Sequence, residues 1–572
     1  MVGVMPQAVP PRKLMMAIMA EVLACVNVTP EMIDAAMRKH LRGTDYRFPK
    51  ISELITAYRT LTKQSGRRED IERCLRCKHV RTDSGIAPIT VLTKPYPCPG
   101  KCVYCPREAR MPKSYVATEP AAARALTLHF DPYAQVARRV QSLEGNGHDA
   151  KKIELIVKGG TWSAYPWAYR QWFIKRCFSA ANHLGSRNAH HATRIKRYGT
   201  LKASQKANES AEYRIIGLTI ETRPDWVTPQ EIVRLRELGV TRVEMGVQAI
   251  DDTILALTKR GCTVADTVRA TTLLKAAGFK VDYHFVPGQP GSTPEHDVAM
   301  FKQLFSDERF CPDMVKIYPC VVIPSAELAE WHRAGTFKPL EGESLLEALI
   351  AMKVAVPYYC RLPRVVRDFP AQEISGGSTT SNLRDVIKQR MQERGLVCHC
   401  LRCREAGHRE ALSPGANVKL FVDEYRNAQG TELFLSMENE ERTTCLSFLR
   451  LRLPDRPAVI LSAVASDATK STCPDRSIGK DLRVDVLRLL PELRDSAIVR
   501  ELHTYGQLVH VGDKKADAVQ HQGHGQRLMQ EAEKIAKARG YKRLAVISGI
   551  GVRGYYRALG YRLAGTYMRK TL

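Results

Sequence analysis

No apolar run in this chain is long enough to cross a bilayer. The best candidate, Leu14 to Val26, is broken by Glu21 and falls short of the roughly 20 apolar residues a spanning helix needs. Arg12 and Lys13 precede it as they would in an export signal, yet no small-residue cleavage site follows, and Leu14, Ile18, Val22 and Val26 recur at helical spacing. That stretch reads as an amphipathic helix of a soluble protein. Acidic residues are also scarce, with 60 Asp and Glu against 87 Lys and Arg, a formal charge of +27. A basic excess of this size suits a polyanionic partner, because each neutralised phosphate releases condensed counterions. Solubility alone is the competing reading, but the excess is clustered. Lys175 to Arg214 carries nine Lys or Arg against two Glu, with His183, His190, His191 and Tyr198 interleaved. A solvated basic loop remains the alternative for that segment. Internal repeats are lacking beyond the tetrapeptide Cys-Leu-Arg-Cys at 74–77 and 400–403, too short to mean duplication.

The 572 residues are enough for about three to five domains at roughly 100 to 200 residues each. Sixteen cysteines without an export signal point to the cytoplasm, where thiols stay reduced and clustered cysteines mean metal rather than disulfides. They group as Cys74/Cys77, Cys98/Cys102/Cys105 and Cys398/Cys400/Cys403, and the scattered remainder read as small buried hydrophobes.

Residues 1–80 read as a small basic helical module, with Ile33, Met37 and Leu41 on one helix face and Arg38 and Lys39 beside them. From Ala87 short β-rich runs alternate with helical patterns: Ile89 to Leu92, Ile153 to Val157, Ile215 to Ile220, Arg242 to Val247, Val281 to Phe285 and Met314 to Ile317. Six such units predict parallel βα architecture over residues 81–365. Residues 366–412 are a Gly-, Ser-, Arg- and Cys-rich connection. Residues 413–572 begin a second domain with strands at Leu433 to Met437, Thr443 to Leu451, Ala458 to Val464, Ile498 to His503, Gln507 to Val511 and Leu544 to Ile547, closed by a final helix. The fold class is α/β: a partial (βα)6 TIM-like barrel joined to a mixed α/β domain, preceded by the helical module.

A chemical motif follows almost every barrel strand, which is how a barrel presents its C-terminal face. Cys98-Pro99-Gly100-Lys101-Cys102-Val103-Tyr104-Cys105 places three thiols in one exposed loop. Three thiolates can hold three irons of a 4Fe-4S cluster and leave the fourth open to S-adenosylmethionine (SAM), and this spacing is the radical SAM signature. A zinc loop is the competing reading; the missing fourth ligand and the strand context argue against it. Gly159 and Gly160 after the second strand resemble the glycine pair that receives the methionine amino group of SAM, while Glu221 and Gln248 close the third and fourth strands. Near the C-terminus Gln520, Gly523 and Gly525 form the Q-x-x-G-x-G pattern of GNAT acetyltransferases, whose amides cradle a pyrophosphate. Tyr555 and Tyr556 match the helix beside the acetyl-CoA thioester, where a phenol can protonate a departing thiolate.

Together these motifs resemble the catalytic subunit of Elongator in its stand-alone archaeal and bacterial form, over nearly the whole chain. Val80-Arg81-Thr82, Thr93 to Pro99, Gly217 to Asp225, Arg500 to His503 and Ala545 to Gly549 match as well. The resemblance implies a tRNA uridine carboxymethyltransferase acting at the wobble position in the anticodon stem-loop. It further implies that a 5′-deoxyadenosyl radical takes hydrogen from the acetyl methyl of acetyl-CoA, that the new carbon radical adds to uracil, and that the thioester is then hydrolysed. Cys398, Cys400 and Cys403 match the family's zinc cysteines, with His399, His408 or water open as fourth ligand. Cys74 and Cys77 depart from the family pattern, and two thiols without a partner are weak evidence for a second metal. Expected RNA contacts are Arg38, Lys39, Lys196, Arg197 and Lys202, with tRNA lying across the amino-terminal helices, the Lys175 to Arg214 segment and the Arg-rich region near Arg361, Arg364 and Arg367. An electron donor for the cluster is required, and a homodimer is compatible with the chain. The alternative function is a protein lysine acetyltransferase with a structural iron-sulfur cluster.

Overall fold

The computed structural model describes residues 8–63, 66, 68–76, 84–184, 199–406, 417–455, 482–505 and 523–572. Four helices, Arg12–Ala24, Pro30–Leu41, Ile51–Leu61 and Glu69–Leu75, form the first module. Thr29 caps the second of them by accepting from the Met32 amide, with Pro30 in the first turn. Ile33, Met37 and Leu41 share the buried face with Ile18, Val22 and Leu54. The first helix ends at Ala24, so Val26 lies beyond the stripe assigned to it and is exposed. The module rests on the barrel through Ile55, which reaches the turn at Gly147.

Six parallel strands follow in sequential order: β1 (Ala87–Leu92), β2 (Lys152–Lys158), β3 (Arg214–Thr222), β4 (Arg242–Gln248), β5 (Lys280–Phe285) and β6 (Met314–Ile317). Each carries two faces, as strand alternation demands. On β2, Ile153, Leu155 and Val157 are buried in the main hydrophobic core, whereas Glu154, Ile156 and Lys158 line the lumen of the half-barrel. The same holds for Arg242 and Glu244 on β4 and for Lys280, Asp282 and His284 on β5. Register aligns Glu221 with Glu244 and Glu244 with Asp282, so three carboxylates lie in one row across β3, β4 and β5.

The described part of the connection, residues 366–406, is not only loop. It contains the helix Leu383–Glu393, whose Leu383, Ile387 and Met391 are buried in the main core. Beyond it the described residues form a seven-stranded mixed sheet of order β12-β13-β11-β10-β9-β8-β7. Its strands are β7 (Val418–Arg426), β8 (Gly430–Asn439), β9 (Cys445–Pro454), β10 (Ser496–Thr504), β11 (Arg543–Val546), β12 (Arg562–Ala564) and β13 (Tyr567–Thr571).

Three sequence expectations are corrected here. The edge strand β7 was not foreseen, because Lys419, Asp423 and Glu424 give it the composition of a solvated segment. The third strand runs from Cys445 to Pro454 instead of starting at Thr443, since a turn from Asn439 to Thr444 occupies that stretch. The chain does not end on a helix: after Arg553–Ala558 it returns as β12 and β13, which are too short to show periodicity. The expected strands Ala458 to Val464 and Gln507 to Val511 lie outside the described residues.

The two sheets are joined by buried charge. Asp313, just before β6, accepts from Arg500 of β10 at 2.9 Å and 2.5 Å and from Lys275 at 3.0 Å. Glu501 of β10 receives Lys280 of β5 at 3.0 Å and Arg450 of β9 at 2.9 Å. Gly549 touches β3 so closely that a Cβ there would stand 1.9 Å from the Ile216 carbonyl oxygen, which explains the glycine physically. Among the described residues no helix is long and apolar enough to cross a membrane.

Candidate active site

The loop carrying Cys98, Cys102 and Cys105 leaves the end of β1. It is pinned by backbone bonds from Val103 N to Thr258 O at 3.1 Å and from Leu328 N to Val103 O at 2.9 Å. All three thiols line one pocket. Cys98 Sγ lies 3.6 Å from Thr161 Oγ1, and Arg260 Nη1 lies 3.6 Å from Cys102 Sγ. A hydrogen bond from Cys105 and the Arg260 charge hold the Cys102 thiol well below its ordinary value, against the opposition of burial. Among the described residues, only Cys398, Cys400 and Cys403 bring three metal-ligating atoms all within 4.8 Å of one another. The wider spread at Cys98, Cys102 and Cys105 fits a multi-iron cluster better than a single ion.

The same pocket brings Gly160, Glu221 and Gln248 together with these thiols. Gly159 has φ 135°, and a Cβ on it would stand 1.9 Å from Thr93 Oγ1, so no side chain fits where the backbone turns past β1. Gln248 adopts a left-handed φ of 72° at the end of β4. Glu221 accepts from the Tyr115 hydroxyl at 2.7 Å and lies 3.5 Å from Lys158 Nζ.

Sequence reasoning missed the largest part of the site. A cavity of about 550 Å³ fills the barrel lumen and runs to Glu501, Leu502, His503 and Tyr505 at and just beyond β10 of the second sheet. It shares Glu221, His284, Tyr318 and Arg367 with the cysteine pocket. Glu244 is at its centre. Its Oε2 is bound by Lys158, by Lys316 and, at 3.0 Å, by His284 Nε2. Burial raises the Glu244 pKa, but Lys158 and Lys316 overcome it and keep the carboxyl ionised well below its usual range. The available signal was charge at period two inside strands otherwise buried: Glu154/Lys158, Arg242/Glu244 and Lys280/Asp282/His284. Arg361 and Arg364 also face this cavity, paired with Glu405 and Asp368, and Arg367 lies 3.7 Å from Glu119. They line its wall beside these acidic partners, and Arg364 is also exposed to solvent.

On the second domain, Gly523 has φ 75° and caps the helix His524–Ala538. A Cβ on Gly525 would stand 3.1 Å from the Tyr555 hydroxyl and 3.8 Å from Leu502 Cδ2, so the glycine turn, Tyr555 and β10 meet at one place. Burial pushes the Tyr555 phenol up to about 12, which leaves it protonated and able to donate near neutral pH. Tyr556 is buried in the domain core, edge-on to Tyr555 with ring centroids 5.3 Å apart. Gln520 lies outside the described residues.

Cys398, Cys400 and Cys403 are enclosed by the main core, with Lys353 Nζ 3.8 Å from Cys403 Sγ. His399 stacks on Tyr358 at 4.6 Å and is not part of the convergent group. His408 is outside the described residues. Cys74 is half-buried, donates to the Val28 carbonyl at 3.2 Å and has its pKa raised by burial, as a structural thiol would. Its companion Cys77 is not described. Arg38 and Lys202 are exposed, and Lys39 pairs with Glu21 at 3.0 Å; Lys196 and Arg197 fall outside the described residues.

Residues 96–304 match the radical SAM superfamily, and residues 312–393 match the Radical SAM C-terminal domain. Such a domain implies a 4Fe-4S cluster and SAM. The chain is 42% identical over 510 residues, 87% of its length and 88% of the relative's, to a tRNA uridine(34) acetyltransferase of Methanocaldococcus infernus. It is 39% identical to a protein of that name from Dehalococcoides mccartyi, over 86% of this chain and 99% of the relative. It is 35% identical to human Elongator complex protein 3, over 87% of this chain and 86% of the relative. The solved structure of archaeal M. infernus Elp3 with residues 1–46 deleted superposes with a TM-score of 0.68 at 39% identity, covering 85% of this chain and 99% of that one.

Proposed function

The chain belongs to the family of tRNA uridine(34) acetyltransferases and Elongator complex protein 3, and from that premise we propose that it modifies the wobble uridine of tRNA by radical SAM chemistry, taking the carbons of a 5-carboxymethyl group from acetyl-CoA. The observation that carries this reading is the lumen cavity, which joins the cysteine pocket at one end to β10 of the second domain at the other. A primary carbon radical reacts at contact distance, so donor, acceptor base and SAM must share one enclosed space.

Cys98, Cys102 and Cys105 would hold the cluster, and Gly159, Gly160, Glu221 and Gln248 would hold SAM. When bound, the cluster and SAM supply a hydrogen-abstracting radical. The remaining work belongs to the protein. Barrel strands wall the lumen. Glu221 is fixed by Tyr115 and Lys158 on the boundary between pocket and lumen. Gly523 and Gly525 offer backbone amides at a helix N-terminus for a pyrophosphate, and Tyr555 holds a proton beside them for a departing thiolate.

Incubation with tRNA, SAM, acetyl-CoA and a reductant, followed by mass spectrometry of the nucleosides, should give 5-carboxymethyluridine only when all four are present. Acetyl-CoA turnover should depend on tRNA and fall in Tyr555→Phe; efficient acetylation of a protein lysine without SAM or tRNA would favour the lysine acetyltransferase instead. tRNA binding should weaken by about 10³ to 10⁵ between roughly 50 and 200 mM salt if six to ten phosphates are engaged. Unchanged affinity after charge reversal of Lys196, Arg197 and Lys202 would remove that basic segment from the RNA surface.

Zinc is the metal proposed for Cys398, Cys400 and Cys403, because tetrahedral zinc with Zn–S near 2.3 Å puts its sulfurs about 3.8 Å apart. Lys353 beside Cys403 offsets the excess negative charge of three thiolates. Purified protein should carry one zinc per chain beyond its iron, and Cys400→Ala should lose that zinc and melt at a lower temperature. Full zinc content in the variant would place the ion elsewhere.

A further inference from the structure

The lumen carries more hydrogen-bonding capacity than its own contacts consume. Glu244 Oε1 has no hydrogen-bond partner, and neither oxygen of Asp282 accepts a hydrogen bond. Both side chains are 1% exposed and both line the cavity. An ionised carboxylate buried with a bare oxygen is costly unless a ligand supplies the donor. Glu244 Oε2 is saturated by Lys158, Lys316 and His284, while Lys316 also lies 3.2 Å from Asp282 and Lys158 lies 3.5 Å from Glu221. Two ammonium groups therefore gather on one oxygen of a carboxylate whose other oxygen is left without a donor, and all three residues line the cavity.

Uracil offers the complement on its Watson–Crick edge: O4 accepts, N3–H donates and O2 accepts. Cytosine does not, since its N3 accepts and its N4 donates. At about 550 Å³ the cavity falls within the roughly 300 to 1,000 Å³ of small-molecule sites and has room for one unstacked base. Enzymes that act on a base take it out of the stack and read it by that edge. Resting on the wobble-uridine reading above, we propose that the strip Lys158–Glu244–Lys316 is the base-reading site, with Glu244 Oε1 accepting from uracil N3–H and the two lysines donating to its carbonyl oxygens. Glu244 is thereby a specificity-determining residue, the register partner on the next strand of Glu221, which lines the cysteine pocket.

The charge arrangement predicts what Glu244→Gln does. Two ammonium groups and His284 converge on the Oε2 position, so the new amide must keep its oxygen there and turn its NH2 to the place of Oε1. An acceptor becomes a donor, which opposes uracil N3–H and suits cytosine N3. The experiment uses the full-length protein with its cluster reconstituted and anticodon stem-loop RNAs carrying uridine, N3-methyluridine or cytidine at the wobble position. Modified nucleoside is quantified by mass spectrometry as kcat/KM. Wild-type turnover of the uridine RNA is the control: if it is absent, the wobble-uridine reading itself has failed, separately from this inference.

With wild type, N3-methylation should lower kcat/KM on the order of 10- to 100-fold, the discrimination expected of a well-formed base contact. In Glu244→Gln the ratio of uridine to cytidine kcat/KM should fall by a similar factor, on the order of 10- to 100-fold. A purely structural ion cluster would lower both RNAs together and leave that ratio fixed. Less than about a twofold effect of N3-methylation in wild type, or an unchanged ratio in a variant with normal iron content and melting temperature, overturns the proposal. Should the variant fail to assemble, the wild-type comparison of uridine with N3-methyluridine decides alone.

Discussion

Replacing Cys98, Cys102 and Cys105 together by Ala is expected to give a folded protein with no cluster iron, no acid-labile sulfide and no detectable modified uridine. The fold should survive because the loop is held by its backbone, through Val103 to Thr258 and Leu328, and not by its thiols. The chemistry should not survive, because a cluster needs its thiolates and SAM needs the open iron that three thiolates leave. Arg260 sharpens the expectation. Buried at 3.6 Å from Cys102, its guanidinium places a cation beside that thiol and, after the hydrogen bond from Cys105, helps to lower the thiol's pKa against burial. Iron and sulfide analysis, the visible absorbance of the reconstituted protein and its melting curve are the measurements. Retention of wild-type iron and sulfide by the triple variant would sink the assignment.

Both ends of the candidate site were legible in the sequence while the space between them was not. Cys98, Cys102 and Cys105, the glycines at 159 and 160, and Tyr555 sit in short runs whose spacing reflects local backbone geometry, so a linear reading finds them. The lumen residues are separated by whole βα units: Glu154 and Lys158 on β2, Glu244 on β4, Asp282 and His284 on β5, Lys316 on β6. Only the register of six strands brings them together. Their one local signature is charge at alternate positions in otherwise apolar strands. That pattern ordinarily marks a solvated face, and here it marks the inside of a half-open barrel. The short strands β12 and β13 were missed for a different reason, since three and five residues carry too little periodicity to register. Sequence shows the charge of Arg361, Arg364 and Arg367 without its partners; Glu405, Asp368 and Glu119 come beside them only in three dimensions.

The seam between the two sheets yields the second large effect: Asp313→Asn should destabilise the docked pair by about 3 to 5 kcal/mol, the usual cost of removing one partner from a buried ion pair. Asp313 is fully buried and is reached by Arg500, Lys275 and the Val281 amide, with Arg450 Nη1 3.6 Å away. Losing its charge strands buried cations that no water can solvate, whereas the near-isosteric amide leaves packing unchanged, so the loss reports electrostatics and not a cavity. Burial opposes the Asp313 charge, but Arg500 and Lys275 overcome it and hold its pKa well below the ordinary carboxylate value. The sign follows from that depression: the stabilisation is complete above the unfolded value of about 3.9 and is lost as pH falls through the lower folded value. The gap between wild type and variant should thus be constant from about pH 6 to 8 and narrow in acid. Urea denaturation followed by probes in each domain is the appropriate measurement, because a chain of this size need not unfold in one step. The variant should also uncouple acetyl-CoA turnover from tRNA, since Arg500 leads directly into Glu501 and His503, which line the shared cavity. A variant as stable as wild type at neutral pH would mean that the sheets are held by their apolar contacts alone, and that the ion network contributes orientation without net stability.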